Sequence, residues 1–120
     1  MKSQPSYRTQ VVQDTIIIEF YEISKFLQDE LGPELDRELG QPDLANCKHI
    51  LVDCQHLKYA NSLFLEILLN MAAQADQRQG RFALCCLSLF LSEVFEVTRL
   101  QGRWPTFDSR EAALREIQAA

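Results

Sequence analysis

The sequence is short of glycine, proline and positive charge, and each shortage excludes a class of protein. Four glycines and four prolines in 120 residues are too few for a disordered or loop-dominated chain. The sequence contains no glycine-rich phosphate loop, nucleophile elbow or paired zinc-ligand motif. Its 12 lysines and arginines against 17 aspartates and glutamates give a net charge of −5. This charge disfavours binding to nucleic acid or to an anionic membrane surface.

Long hydrophobic runs are also missing. No apolar segment approaches the roughly 20 residues that span a bilayer. Residues 1–13 are polar and lack the apolar centre of a signal peptide. We therefore expect a cytoplasmic protein. In a reducing cytosol, we expect Cys47, Cys54, Cys85 and Cys86 to be small buried side chains without disulfides.

What the chain does have is 47% hydrophobic residues, enough for a core without metal or disulfides. We predict a single domain over residues 1–120, with residues 1–6 as a polar N-terminal tail. Two β-branched stretches, Tyr7–Val12 and Thr15–Phe20, predict a hairpin. The second stretch is apolar at consecutive positions, which indicates a strand covered on both faces.

The next segment has helical periodicity. Apolar residues recur three and four positions apart over residues 23–39, with a kink or break expected at Gly32 and Pro33. Seven acidic residues lie between Glu19 and Glu38 against two basic ones. They indicate either a solvated helix face or an acidic docking surface.

The rest of the chain alternates strand and helix, which predicts an α/β domain with a mixed sheet. The predicted elements are a loop over 41–48, a strand at His49–Asp53, a helix over 63–79 ending at Gly80, a strand over 82–87, a helix from Ser88 or Ser92 to near Leu100, a strand at Thr106–Phe107, and a helix whose capping box runs from Asp108 to Glu111. Trp104 is expected to cover the core, and Cys85 and Cys86 to point to opposite faces of their strand.

No catalytic or metal site is predicted. Cys47, His49, Cys54 and His56 are potential metal ligands. A strand between the two Cys-x-His pairs would hold them roughly 23 Å apart, too far for one coordination sphere.

Asn61 and Ser62 lie where a buried strand is joined to the longest helix. One reading makes either residue the N-cap of that helix. The other reading uses the free amides and partial positive charge of the helix start, which would tolerate a phosphoryl group on Ser62.

These residues resemble a known family. The strand His49–Asp53, the segment Tyr59-Ala60-Asn61-Ser62, the apolar helix ending at Gly80 and the closing Phe107-Asp-Ser-Arg-Glu-Ala-Ala-Leu resemble the STAS domain of sulfate transporters and anti-sigma factor antagonists. The resemblance covers residues 7–119. It implies a mixed sheet of four to five strands flanked by about four helices.

The resemblance also implies a switch. In the antagonists, an aspartate followed by serine or threonine opens this helix, and an anti-sigma kinase phosphorylates that hydroxyl and so breaks its own contact with the domain. Ser62 matches the phosphoacceptor and Asn61 the aspartate. Leu63 stands where a small residue is usual and Phe64 where glycine is common. The sequence is compatible with docking of a partner that phosphorylation of Ser62 controls and with docking that lacks this switch.

The leading hypothesis is therefore a non-enzymatic regulatory module, without cofactor, that docks an anti-sigma factor of the serine-kinase type or a related partner. The candidate contacts are Asn61, Ser62, Leu63, Phe64 and Glu66, with Phe64 equally interpretable as core. The alternative is an accessory STAS subunit of a membrane-lipid ABC transport complex.

Overall fold

A five-stranded sheet forms the centre of the computed structural model, which describes residues 7–21, 31–57 and 60–119. The elements are β1 (Tyr7–Val12), β2 (Thr15–Phe20), α1 (Leu31–Leu39), α2 (Pro42–Ala45), β3 (His49–Asp53), α3 (Ser62–Gln77), β4 (Phe82–Cys85), α4 (Leu89–Val97), β5 (Thr106–Phe107) and α5 (Arg110–Gln118). The sheet follows the chain order, with β1 antiparallel to β2 and all other neighbours parallel. The predicted mixed α/β fold is confirmed.

The central strands are buried on both faces, as their continuous apolar runs predicted. Ile16 and Ile18 face the larger core, which also holds the apolar sides of α1, α3 and α4. Ile17 faces a smaller core that is closed by Ala113 and Ile117 of α5. Within the described part of the chain, the sheet therefore lies between a layer of several helices and the single helix α5.

The first half of the chain departs from its predicted secondary structure between residues 41 and 48. The segment 41–48 is not entirely a loop, because Pro42 begins the four-residue helix α2 and Leu44 buries its side chain. This short helix brings the described helices to five, one more than expected. Gly32 and Pro33 lie in the first turn of α1, a position that tolerates proline. Residues 22–30 of the predicted helix lie outside the described residues.

Gly80 follows α3 as predicted, but for a different physical reason. The left-handed residue after this helix is Gln79, with φ of 62°. A Cβ on Gly80 would lie 1.9 Å from the carbonyl oxygen of Lys48, which precedes β3. Glycine is therefore needed because two backbone segments approach each other closely.

The last two helices begin with serine caps. Ser88 caps α4 and accepts a hydrogen bond from Leu91 N. Ser109, not Asp108, caps α5, so the predicted capping box is wrong by one residue. Its hydroxyl accepts from Ala112 N at 3.1 Å. Trp104 packs edge-on against a core phenylalanine, with ring centroids 5.3 Å apart, and so covers the core as predicted.

Candidate protein-binding site

The start of α3 is fixed by a side-chain cap. Asn61 has extended backbone angles, and its Oδ1 accepts a hydrogen bond from Phe64 N at 3.0 Å. Of the two residues that could cap this helix, Asn61 is therefore the one that does. Ser62 is the first helical residue and is exposed. Its hydroxyl stands at the end of α3 where backbone amides are free and the helix dipole is positive.

Phe64 belongs to the core. Its side chain is fully buried and meets Phe20 of β2 edge to face, with ring centroids 5.4 Å apart. The prediction of Phe64 as a partner contact is therefore wrong, and its alternative interpretation as core is correct. Burying this ring anchors the first turn of α3 to the sheet. The exposed Ser62 is thereby held on a rigid element.

Two other candidate contacts remain accessible. Leu63 is half-buried and packs against the edge of the larger core. Glu66 is exposed, one turn after Ser62. Both line a hollow of about 390 Å³ between α1 and α3, which Asp36 also lines. The described surface beside Ser62 therefore combines a hydroxyl, an apolar edge and carboxylates.

The acidic segment between Glu19 and Glu38 is partly structural. Glu38 accepts hydrogen bonds from Tyr7 and Thr9 of β1 at 2.9 and 2.7 Å. Asp36 accepts from Asn70 and Gln74 of α3. These carboxylates hold α1 against its neighbours, which favours a structural use over a free docking surface. Glu22, Asp29 and Glu30 lie outside the described residues.

A buried ion pair lies at the carboxyl end of the sheet. Asp53, the last residue of β3, is fully buried. Its Oδ2 accepts from Nε and Nη2 of Arg110 at 3.0 and 2.8 Å, and its Oδ1 accepts from Gln55 N at 2.9 Å. The pair joins the end of β3 to the first residue of α5. It therefore fixes the point from which the chain leaves the sheet toward Ser62.

Glu19 extends this pair into a larger polar cluster. Its Oε2 lies 3.5 Å from Arg110 Nη2 and 3.2 Å from His56 Nε2. Its Oε1 accepts from the Tyr21 hydroxyl at 2.9 Å, and the Tyr21 ring stacks on His56. Desolvation and the hydrogen bond to Glu19 raise the pKa of Tyr21. The cluster thus ties the end of β2 to the segment that leads into α3.

Comparison with known proteins identifies this arrangement. A sequence profile of the family described as "Mlab, STAS domain" matches residues 27–111. The chain belongs to the STAS domain family. "Putative anti-sigma factor antagonist BtrV" of Bordetella bronchiseptica is 32% identical over 94 residues, which cover 78% of this chain and 74% of that protein.

Solved structures show the same fold. An anti-sigma-factor antagonist (STAS) domain protein from Planctomyces limnophilus has a TM-score of 0.74 and 23% identity, covering 94% of this chain and 98% of that one. Bacillus SpoIIAA in its phosphorylated form has a TM-score of 0.69 and 17% identity, covering 93% and 99%. Family and relative together support a regulatory function like that of an anti-sigma factor antagonist, as the sequence predicted. Proteins of this family are typically not enzymes.

Sequence reasoning missed one part of this STAS domain, the pair of Asp53 and Arg110. The two residues are 57 positions apart, and no pattern links them. The available signal was an aspartate at the end of an apolar strand, because a charge in that position needs a partner.

In the described residues no helix has the length and apolarity needed to cross a bilayer.

The cysteines differ from expectation at Cys86, which is only partly buried. Cys54 and Cys85 are fully buried, as predicted, and burial raises the pKa of both thiols. Cys86 does not point away from Cys85, because it leaves the strand with φ of 63°. Both sulfur atoms and a carboxylate oxygen of Asp53 lie within 4.8 Å of one another. The prediction of opposite faces is wrong.

Proposed function

We propose that this STAS domain docks an anti-sigma factor of the serine-kinase type through the exposed start of α3. The proposed surface comprises Ser62 and Glu66, with Asn61 and Leu63 at its edge. The observation that carries it is the exposed Ser62 hydroxyl at the first position of a helix anchored by the buried Phe64. A partner would meet a preformed surface, so little ordering would oppose binding.

Phosphorylation of Ser62 is the proposed switch. The Ser62 oxygen would bond to the γ-phosphorus of ATP bound by the partner, the bond to the ADP oxygen would break, and the hydroxyl proton would pass to a base of the kinase. The product adds about two negative charges. Free amides and the dipole at the start of α3 would stabilise the phosphoryl group within the domain.

The same charge would weaken docking. Glu66 follows Ser62 by one turn, and Asp36 lines the same hollow as Glu66. A phosphoryl group beside these carboxylates would make the surface strongly anionic and would change its fit to the partner. Asn61 retains the capping bond without a charge, so the unphosphorylated surface carries one negative charge less than in the antagonists whose motif it resembles.

The experiment is capture of a purified kinase-type anti-sigma factor by the full chain, with intact-mass analysis after incubation with ATP. Ser62→Asp should lose capture, because it places a negative charge at the docking surface. The matched control is Gln77→Asp, which adds the same charge at the other end of α3, about 22 Å away by helix geometry. It should retain capture.

The outcomes separate the parts of the proposal. Capture with phosphoryl transfer that Ser62→Ala abolishes would support both docking and the switch. Equal capture by the wild type and by Ser62→Asp would contradict the proposed docking surface. Failure to bind any kinase-type protein, together with stable binding to a transport ATPase, would favour the accessory-subunit function instead.

A further inference from the structure

A compact group of metal-ligating atoms lies beside the buried ion pair. Asp53 ends β3 and Cys85 ends β4, and the two residues are register partners in the parallel pair. Their side chains therefore point to the same face of the sheet. Cys86 adds a third ligand atom, and all three atoms lie within 4.8 Å of one another. It is the only such group among residues 7–21, 31–57 and 60–119.

The backbone holds Cys86 in the conformation that brings the two sulfurs together. Neighbouring residues of a strand normally face opposite sides. Cys86 instead has a left-handed φ of 63°, and its amide donates to the carbonyl oxygen of Phe107 in β5 at 2.9 Å. Its Sγ donates to the carbonyl oxygen of Asp108 at 3.6 Å. Both thiols consequently pack against the smaller core, beside α5.

We propose that Asp53, Cys85 and Cys86 bind a thiophilic divalent cation, with zinc as the physiological ion. Two thiolates and one carboxylate are a ligand set for zinc, whereas magnesium and calcium require oxygen ligands. In a tetrahedral zinc site, two sulfurs at about 2.3 Å from the ion lie roughly 3.8 Å apart. The three ligand atoms lie within 4.8 Å of one another, so binding would draw the two sulfurs together by no more than about 1 Å, and water would complete the site.

Charge and hydrogen bonding are compatible with this assignment. Each thiol would release one proton on binding, which gives two thiolates. The two thiolates and the Asp53 carboxylate carry three negative charges, which a divalent ion and the Arg110 guanidinium, a group that Glu19 also contacts, would offset. Arg110 donates two hydrogen bonds to Oδ2 and Gln55 N donates one to Oδ1, so one of the four lone pairs of the carboxylate, on Oδ1, remains for a metal. Arg110 would then orient the carboxylate from the outer shell.

An ion could enter beside Cys86. Asp53 and Cys85 are fully buried, whereas Cys86 and Arg110 are each partly exposed. The site would bridge the ends of β3 and β4, where the connections to α3 and α4 begin. It is independent of Ser62, so its failure would leave the proposed docking function intact.

The test is anaerobic titration of the reduced full chain with Co²⁺, followed by displacement with Zn²⁺. We expect a single cobalt per chain, with thiolate-to-cobalt charge-transfer absorption that zinc abolishes. Cys86→Ser should weaken cobalt binding at least about tenfold and halve this absorption. Cys86 is half-buried, so this variant should stay folded, and circular dichroism would verify that.

The matched control is Cys47→Ala, which removes a buried thiol before β3, outside the three-residue group. It should bind cobalt like the wild type. Absence of charge-transfer absorption in the wild type would overturn the proposal. So would a titration of Cys86→Ser that matches the wild type, or an equal loss in Cys47→Ala.

Discussion

At the scale of single residues, the most consequential contact is the one between Asp53 and Arg110. Removing one partner of a buried pair leaves an uncompensated charge in the core. We predict that Arg110→Met lowers the free energy of unfolding by about 2 to 3 kcal/mol, a value reduced for the partial exposure of Arg110. Urea denaturation would measure the loss.

Arg115→Met is the control for this prediction, because Arg115 is an exposed arginine on the same helix, α5. A surface change of this kind should alter stability by less than about 0.5 kcal/mol. Similar losses in the two variants would mean that the pair with Asp53 contributes little. If adding Asp53→Asn to Arg110→Met recovered the lost stability, the unpaired carboxylate would be shown to cause the loss.

Residue-level prediction succeeded where the signal was local. The sequence offers Asn61 and Ser62 as possible caps, because such residues before an apolar helix have a defined chemistry, and Asn61 is the cap. The fate of Phe64 was left open, since its sequence neighbours do not reveal which side of α3 the sheet occupies. The turn of Cys86 depends on Phe107 and Asp108, residues about 20 positions later, and no local pattern indicates it.

At the scale of elements, α3 depends on its cap. Asn61→Ala removes the acceptor of the Phe64 amide and should lower the free energy of unfolding by about 1 kcal/mol. Asn61→Asp keeps the acceptor and adds a negative charge at the positive end of the helix, so it should stabilise by about 0.3 to 1 kcal/mol. Thermal or urea unfolding would measure the expected loss of stability in Asn61→Ala and the expected gain in Asn61→Asp.

Ser62→Ala is the comparison variant for the cap, since it changes the exposed neighbour and keeps the Asn61 bond. Its stability should stay within about 0.5 kcal/mol of the wild type. If Asn61→Ala were equally neutral, the cap would not stabilise α3. The Asn61→Asp variant also restores the family's acidic residue, so its phosphorylation by a cognate kinase would show how strongly the switch depends on that charge.

The boundaries of helices and strands could be predicted from the same local chemistry, and the prediction failed where that chemistry gives a weak signal. Periodicity located the long helix α3 and the buried strand β3 correctly. The four-residue helix α2 is too short to show helical periodicity in its apolar residues, so the sequence predicts a loop there. Two capping residues in a row, Asp108 and Ser109, left the start of α5 uncertain by one position, and only the bond to Ala112 decides it.

At the scale of the whole molecule, the sheet separates two unequal cores. Among the described residues, the larger core joins the sheet to four helices, whereas α5 alone closes the other face. Arg81, just before β4, reinforces this thinner layer by donating to the carbonyl oxygen of Glu116 in α5 at 2.8 Å. The backbone amide of Arg81 also contacts the ring of His49, the first residue of β3.

His49 is expected to destabilise the fold when the pH falls. Its Nδ1 accepts a hydrogen bond from Arg81 N at 2.9 Å, which requires a neutral imidazole at that nitrogen. Burial lowers the pKa of His49, and the positive charges of Arg81 and Lys48 lower it further against the opposite effect of Asp14. The unfolded chain, with an ordinary pKa of about 6.5, therefore takes up this proton first. Stability from His49 is complete above that pH and is lost as the pH falls below it.

The measurement is urea unfolding of the wild type and His49→Asn between neutral and mildly acidic pH. Asparagine can offer an oxygen near the Nδ1 position, so it keeps an acceptor for Arg81 N without titrating. The two proteins differ only at residue 49, so the difference between the two profiles reports on His49. We expect the wild type to lose stability more steeply than His49→Asn as the pH falls through about 6.5. Parallel profiles would show that His49 binds its proton equally in the folded and unfolded chains.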